Sequence, residues 1–116
     1  MPTTVNLIVI RVADLDRSQQ FFESLGITFS RERHGNGPEH LVAKIIDLVF
    51  EIYPLGNGLS TSATRLGFQV DSLQNAIDAV VKCGAEIVTS PADGPWGIRA
   101  VIKDLDGHRI ELCQTV

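Results

Sequence analysis

Two carboxylates recur in matched settings: Phe50-Glu51-Ile52 and Ile110-Glu111-Leu112 stand 60 residues apart. Apolar residues flank each glutamate. Successive side chains of a strand point to opposite faces, so each carboxylate lies on the face its neighbours avoid. The same parity sets Arg65 and Gln69 against Leu66 and Phe68, sets Arg11 against Ile10 and Val12, and groups Arg109 and Cys113 with Glu111. Tyr53 joins Glu51 in the same way, and Leu7 and Val9 join Arg11. A sheet face carrying a few carboxylates and guanidiniums among apolar neighbours suits a small polar ligand. Two carboxylates can also shuttle protons, although one held by arginine makes a weak base.

The elements that must position these residues occur twice. Val12 to Gly26 lies over Val70 to Gly84, matching Val12 with Val70, Leu15 with Leu73 and Gly26 with Gly84 at an offset of 58, half the chain length. Two matched blocks per half point to duplication. In the first half Val5–Val12 reads as a strand, Asp14 as a helix N-cap, and Asp16 as a charge near the positive end of the helix dipole. Leu15, Phe22 and Leu25 share one helical face, and Gly26 ends the helix. Ile27–His34 resumes as a strand, Gly35-Asn36-Gly37-Pro38 turns it, and Leu41–Tyr53 supplies two more.

The second half repeats this order. Thr64–Asp71 is a strand, Ser72 a cap, and Leu73, Ala76, Ile77, Val80 and Val81 form a buried helical stripe closed by Gly84. Ile87–Thr89 is a short strand, Pro91 to Gly97 a loop, and Ala100–Asp104 pairs with His108–Gln114 through a turn at Asp106-Gly107. The fold class is therefore α+β, with two tandem βαβββ modules, 1–54 and 64–116, joined by a linker, 55–63, in a single domain, 1–116.

Composition narrows the function. The chain has 116 residues, of which 44% are hydrophobic and 21% charged, enough for one packed domain. A net charge of −4 without a basic run argues against nucleic acid, which is held chiefly by phosphate neutralisation. No apolar run is long enough to span a bilayer, so no membrane partner is expected. The opening Met-Pro-Thr-Thr-Val lacks the basic and apolar regions of a secretory signal, and a cytoplasmic location is the expectation. Cys83 and Cys113 have no metal-ribbon spacing and read as reduced thiols.

Taken together, Arg11-Val-Ala-Asp-Leu-Asp-Arg-Ser, Phe21-Phe22, Phe50-Glu51-Ile52, Leu66 to Asp71 and Lys103-Asp-Leu-Asp-Gly-His-Arg-Ile-Glu-Leu112 resemble the vicinal oxygen chelate superfamily of glyoxalase I, bleomycin-resistance proteins and extradiol dioxygenases. The resemblance covers essentially the whole chain, and the Asp-x-Asp-Gly hairpin running into Glu-Leu is its most specific part. It implies paired modules forming an open, barrel-like cleft, usually within a homodimer. In the metal-dependent branch it places ligands at Leu7, Glu51, Arg65 and Glu111. Leucine has no donor atom, and arginine stays protonated. No cofactor is therefore expected, and Arg65 is read as a guanidinium between Glu51 and Glu111 that takes over the charge of the metal.

Several further residues bear on the site. His34 and His40 bracket a turn and read either as surface histidines or, for His40, as an acid–base group or replacement metal ligand in the cleft. His108 reads as exposed in its hairpin. Trp96 reads as a plug on the core edge or a lid over a ligand, and Arg99 as a strand-edge residue or a partner for an acidic ligand. Cys113 reads as an inert thiol. The favoured function is metal-independent binding of a small molecule by Arg11, His40, Arg65, Gln69, Trp96 and Arg99 in a homodimer cleft. The alternative is a lyase or isomerase of the glyoxalase type, using Ni, Zn, Mn or Fe with Glu51 and Glu111 as its catalytic carboxylates. A third reading, a partner-binding module using the sheet edges, has no positive sign in the sequence.

Overall fold

The repeated strand–helix entry folds alike in both halves of the chain. In the computed structural model, which describes residues 2–115, the order is β1 (Leu7–Val12), α1 (Leu15–Glu23), β2 (Ser30–Glu32), β3 (His40–Ile45) and β4 (Leu48–Pro54). It then runs β5 (Arg65–Gln69), α2 (Leu73–Lys82), β6 (Glu86–Gly94), β7 (Gly97–Lys103) and β8 (Arg109–Gln114). Asp14 caps α1 by accepting from the Arg17 amide at 3.1 Å, and Ser72 caps α2 by accepting from the Asn75 amide at 3.2 Å. Both satisfy amides that a helix start leaves unpaired. Gly26 and Gly84, at φ +92° and +96°, turn the chain out of each helix through a conformation that side chains disfavour.

Two four-stranded sheets result, ordered β1-β4-β3-β2 and β5-β8-β7-β6. In each, the first strand lies parallel to the last and the remaining neighbours are antiparallel. Each helix covers one face of its own sheet. Ile10, Val12, Phe50 and Ile52 are buried beneath α1, while Leu66, Ile110 and Leu112 are buried beneath α2. The two halves share one core, and all five phenylalanines of the chain belong to it. Phe22 lies with its ring centroid 5.1 Å from Phe21, 5.3 Å from Phe50 and 6.1 Å from Phe68, the last of these on β5.

The structure differs from the sequence expectation in several places. β2 is three residues rather than the whole of Ile27–His34: Ile27–Phe29 precede the ladder with β3, and His34 opens the turn, its carbonyl accepting from the Gly37 amide at 3.0 Å. β6 is nine residues rather than three, so most of the supposed Pro91–Gly97 loop is strand. Its pairing with β7 slips between Ile87 and Thr89 and again between Thr89 and Ala92, and these irregularities on an edge strand accommodate Pro91. Val81 does not complete the α2 stripe and stands 44% exposed. The β7–β8 connection, Asp104 to His108, does turn at Asp106-Gly107, where the Gly107 amide donates to the Asp104 carbonyl at 3.2 Å and Gly107 takes φ +94°.

That loop buries His108, which is 0% exposed rather than facing solvent. One Asp104 oxygen accepts from the backbone amides of Asp106 and His108 at 3.1 and 2.8 Å, and the other pairs with His108 Nδ1 at 2.8 Å. The imidazole is thereby folded inward, where its Nε2 lies 2.8 Å from the Thr61 hydroxyl in the segment between the sheets. Thr61 accepts from the Arg11 amide at 2.9 Å, and Asp106 accepts from the Ala13 amide at 2.7 Å. A polar relay rooted in the buried Asp104–His108 pair thus ties the second half to the end of β1.

Two stability measurements test this arrangement. Phe22→Ala opens the shared core and should cost about 3–5 kcal/mol in urea denaturation. His108→Ala leaves the Asp104 carboxylate and Thr61 hydroxyl without their partner, and should cost about 2 kcal/mol in the same assay. His108→Asn is expected to recover part of that loss.

Candidate functional site

The side of each sheet away from its helix is open, and strand register arranges it in rows. On the first sheet one row reads Arg11, Tyr53, His40, Glu32, and the next reads Val9, Glu51, Val42, Ser30. On the second sheet the corresponding rows read Gln69, Cys113, Arg99, Ala92 and Gly67, Glu111, Val101, Thr89, followed by Arg65, Arg109, Lys103, Glu86. Glu51 and Glu111 therefore occupy equivalent positions, each in the middle row beside the first strand of its module. Alternation alone places both correctly.

The second sheet's open face is basic in an acidic chain. Arg65, Arg99, Lys103 and Arg109 share it with Glu111 and Glu86. Arg65 Nη2 and Arg99 Nη1 converge on one oxygen of Glu111, at 3.4 and 3.0 Å. Arg99 is not at a sheet edge, since β7 lies between β8 and β6. Gln69 Nε2 donates to the Thr115 hydroxyl at 3.1 Å, and Cys113 Sγ lies 3.9 Å from the Trp96 carbonyl.

The first sheet's open face is neutral and aromatic. His40 is 1% exposed, its ring stacked on Tyr53 at 4.2 Å and 6°, and the Arg11 guanidinium carbon lies 5.6 Å from the Tyr53 centroid. Glu51 is half-buried, and among the described residues no ion pair reaches it. Leu7 is 51% exposed. Arg65 thus neutralises Glu111 and does not bridge to Glu51, because the two carboxylates sit on different sheets and the sheets do not close into a barrel within one chain.

Trp96 stands 77% exposed at the tip of the β6–β7 hairpin, so it plugs no part of the core. The tip is tight because Gly97, at φ +130°, crosses so close to β8 that a Cβ there would lie 2.2 Å from the Gln114 carbonyl oxygen. Arg31 lies away from the open face and braces β2 against α1 through Asp16 and Gln19. The carboxylates of Glu39 and Asp16 hold its guanidinium above the ordinary arginine range.

Donor chemistry decides what these positions can hold. The four positions that the family resemblance marks for a metal present a leucine without a donor, a protonated arginine and two carboxylates, one of them engaged by two guanidiniums. That set does not fit a divalent ion. Asp104, Asp106 and His108 also lie close enough to share an ion, but their oxygens and ring nitrogens already make the bonds that tie the two halves together.

Tandem βαβββ modules, each with a helix-covered face and an open polar face, define the class. The model of the Glyoxalase/Bleomycin resistance protein/Dioxygenase superfamily matches residues 4–112, and the chain belongs to that superfamily. A curated relative, the probable lactoylglutathione lyase of Synechocystis, is 29% identical, with 92% of each chain aligned. Among solved structures, the antibiotic binding protein TnmS3 of Streptomyces aligns with a TM-score of 0.78 at 22% identity, covering 99% of this chain and 98% of that one. A glyoxalase-related enzyme from Fulvimarina pelagi aligns with a TM-score of 0.77 at 19% identity, covering 98% and 89%. At these identities the solved structures bear on the fold alone.

The paired geometry around Glu111 predicts a mild response to losing one arginine. Arg65 is half exposed and Arg99 remains, so Arg65→Leu should change stability by less than about 1 kcal/mol in urea denaturation. A loss of several kcal/mol would show that Arg65 carries a buried charge elsewhere.

Proposed function

We propose that this protein binds a small organic acid with an aromatic body, without using a metal. One observation carries the reading: in a chain of net charge −4, four cations are gathered on one open sheet face against two carboxylates. Arg65 and Arg99 already hold one carboxylate, that of Glu111, and a ligand anion brought beside it would be drawn by the same guanidiniums. Tyr53, backed by the buried His40 ring, the Arg11 guanidinium and the exposed Trp96 offer flat surfaces for the ligand's ring. Gln69 supplies a neutral polar group at the end of the basic face.

Neither open face encloses a ligand alone. In this reading a second copy of the chain brings the aromatic face of one protomer over the basic face of the other, and Trp96 covers the resulting cleft. The exposed Leu7 and Val9 support that closure, since both belong to the open face and pack against nothing within the chain's core. The boundaries 1–54, 55–63 and 64–116 are proposed as the units of the duplication that makes the two faces equivalent.

The second reading, a metal-dependent lyase, draws on the Synechocystis relative and on the retained Glu51 and Glu111. Glu51 would be its better base, being half-buried and free of guanidinium partners.

Thermal shift in the presence of EDTA separates the two. Aromatic carboxylates should raise the melting temperature while their neutral amides do not, and Arg99→Ala should weaken binding about tenfold or more. Size-exclusion chromatography with light scattering should return a dimer. Stabilisation by an organic acid that requires a divalent ion and is lost in Glu51→Gln and Glu111→Gln, or lactoylglutathione formed only when such an ion is added, would overturn this reading in favour of the lyase.

A further inference from the structure

On the other sheet from Arg65, Arg99 and Glu111, the β2–β3 hairpin assembles a separate group of donors. Glu32 and His40 are register partners across the two strands, and Glu32 shares the open side with Ser30, whose hydroxyl lies 3.3 Å from Glu32 Oε2. The chain turns back at Gly35, φ +58°, and brings His34 over the pair. Its ring centroid lies 5.2 Å from that of His40, and its Nε2 lies 3.6 Å from Glu32 Oε1. One donor atom from each of the three residues falls within 4.8 Å of the other two.

We propose that Glu32, His34 and His40 bind a divalent transition ion of the zinc, nickel or copper class. Two imidazoles and a carboxylate suit borderline ions, whereas calcium and magnesium prefer oxygen donors alone. His40 anchors the site. It is buried, its ring is fixed against Tyr53, and its Nδ1 donates to the Pro38 carbonyl at 3.1 Å. That bond assigns the proton to Nδ1 and leaves Nε2 with an available lone pair, the arrangement that outer contacts impose on metal-binding histidines. The Tyr53 hydroxyl, 3.5 Å from Nε2, belongs to a ring stacked on the imidazole and so lies over its face rather than along the lone pair. Glu32 and His34 are exposed and free to swing onto an ion held by His40. Three protein donors leave a further coordination position open to water or an added ligand.

This assignment uses none of the four positions treated above as the family's metal corner, and it does not depend on the organic-acid reading. The test is calorimetric titration of zinc into chelator-stripped protein, repeated with cobalt to read its visible absorption. Zinc should bind at one ion per chain, with Glu32→Gln and His34→Ala each weakening it about tenfold or more, about 1.4 kcal/mol. Both substitutions are at exposed positions, and unchanged circular dichroism would establish that each variant folds. Glu51→Gln and Glu111→Gln should leave zinc binding as it was. The proposal is overturned if zinc gives no saturable binding up to millimolar concentration, or if His34→Ala binds it as tightly as the parent. It is equally overturned if loss of Glu51 or Glu111 abolishes the binding.

Discussion

Two helices of nine and ten residues must cover two four-stranded sheets, and they can reach only one face of each. Everything else about this protein follows from that shortage. The apolar half of every strand is committed to the helix side, where Ile10, Phe50, Ile110 and Leu112 meet the helices. The opposite half is left for side chains that a core would reject. Glu51, Arg65, Arg99 and Glu111 are tolerated because nothing packs over them, and the same openness makes them available to a ligand.

Charge on the open faces is distributed unevenly. The first sheet balances Arg11 and Lys44 against Glu32 and Glu51, while the second sets four cations against Glu111 and Glu86. Arg65 is best understood within that cluster. It is half exposed and shares Glu111 with Arg99, so it belongs to a solvated network rather than to a buried bridge. Parity shows which face a side chain takes, but not which neighbour on that face it will reach. Arg65 is diagonal to Glu111 in the β5–β8 register, a relation visible only once the strands are paired.

Features governed by local rules were readable from the chain. The caps at Asp14 and Ser72, the left-handed exits at Gly26 and Gly84, and the sidedness of β1, β4, β5 and β8 all depend on spacing within a few residues. What escaped depends on partners far away. His108 looks like a hairpin residue until Thr61, 47 positions earlier, is found waiting for its Nε2. β6 continues past Pro91 because β7 supplies a ladder that slips to let the proline through. The Glu32–His34–His40 group needed the β2–β3 register, which three residues of strand do not advertise. The signal that could have found it was present, since two histidines and a glutamate bracket a single glycine turn.

The aromatic cluster also binds the two halves of the chain to each other. Phe68, from the later half, rests among Phe22 and Phe50 of the earlier one, and Thr61 and Asp106 each bind backbone amides at the end of β1. Either half alone would lack those contacts, so the two are inseparable in space. Cutting the gene at the junction would today yield two fragments, each with an unfinished interior, able to complement one another but not to stand alone.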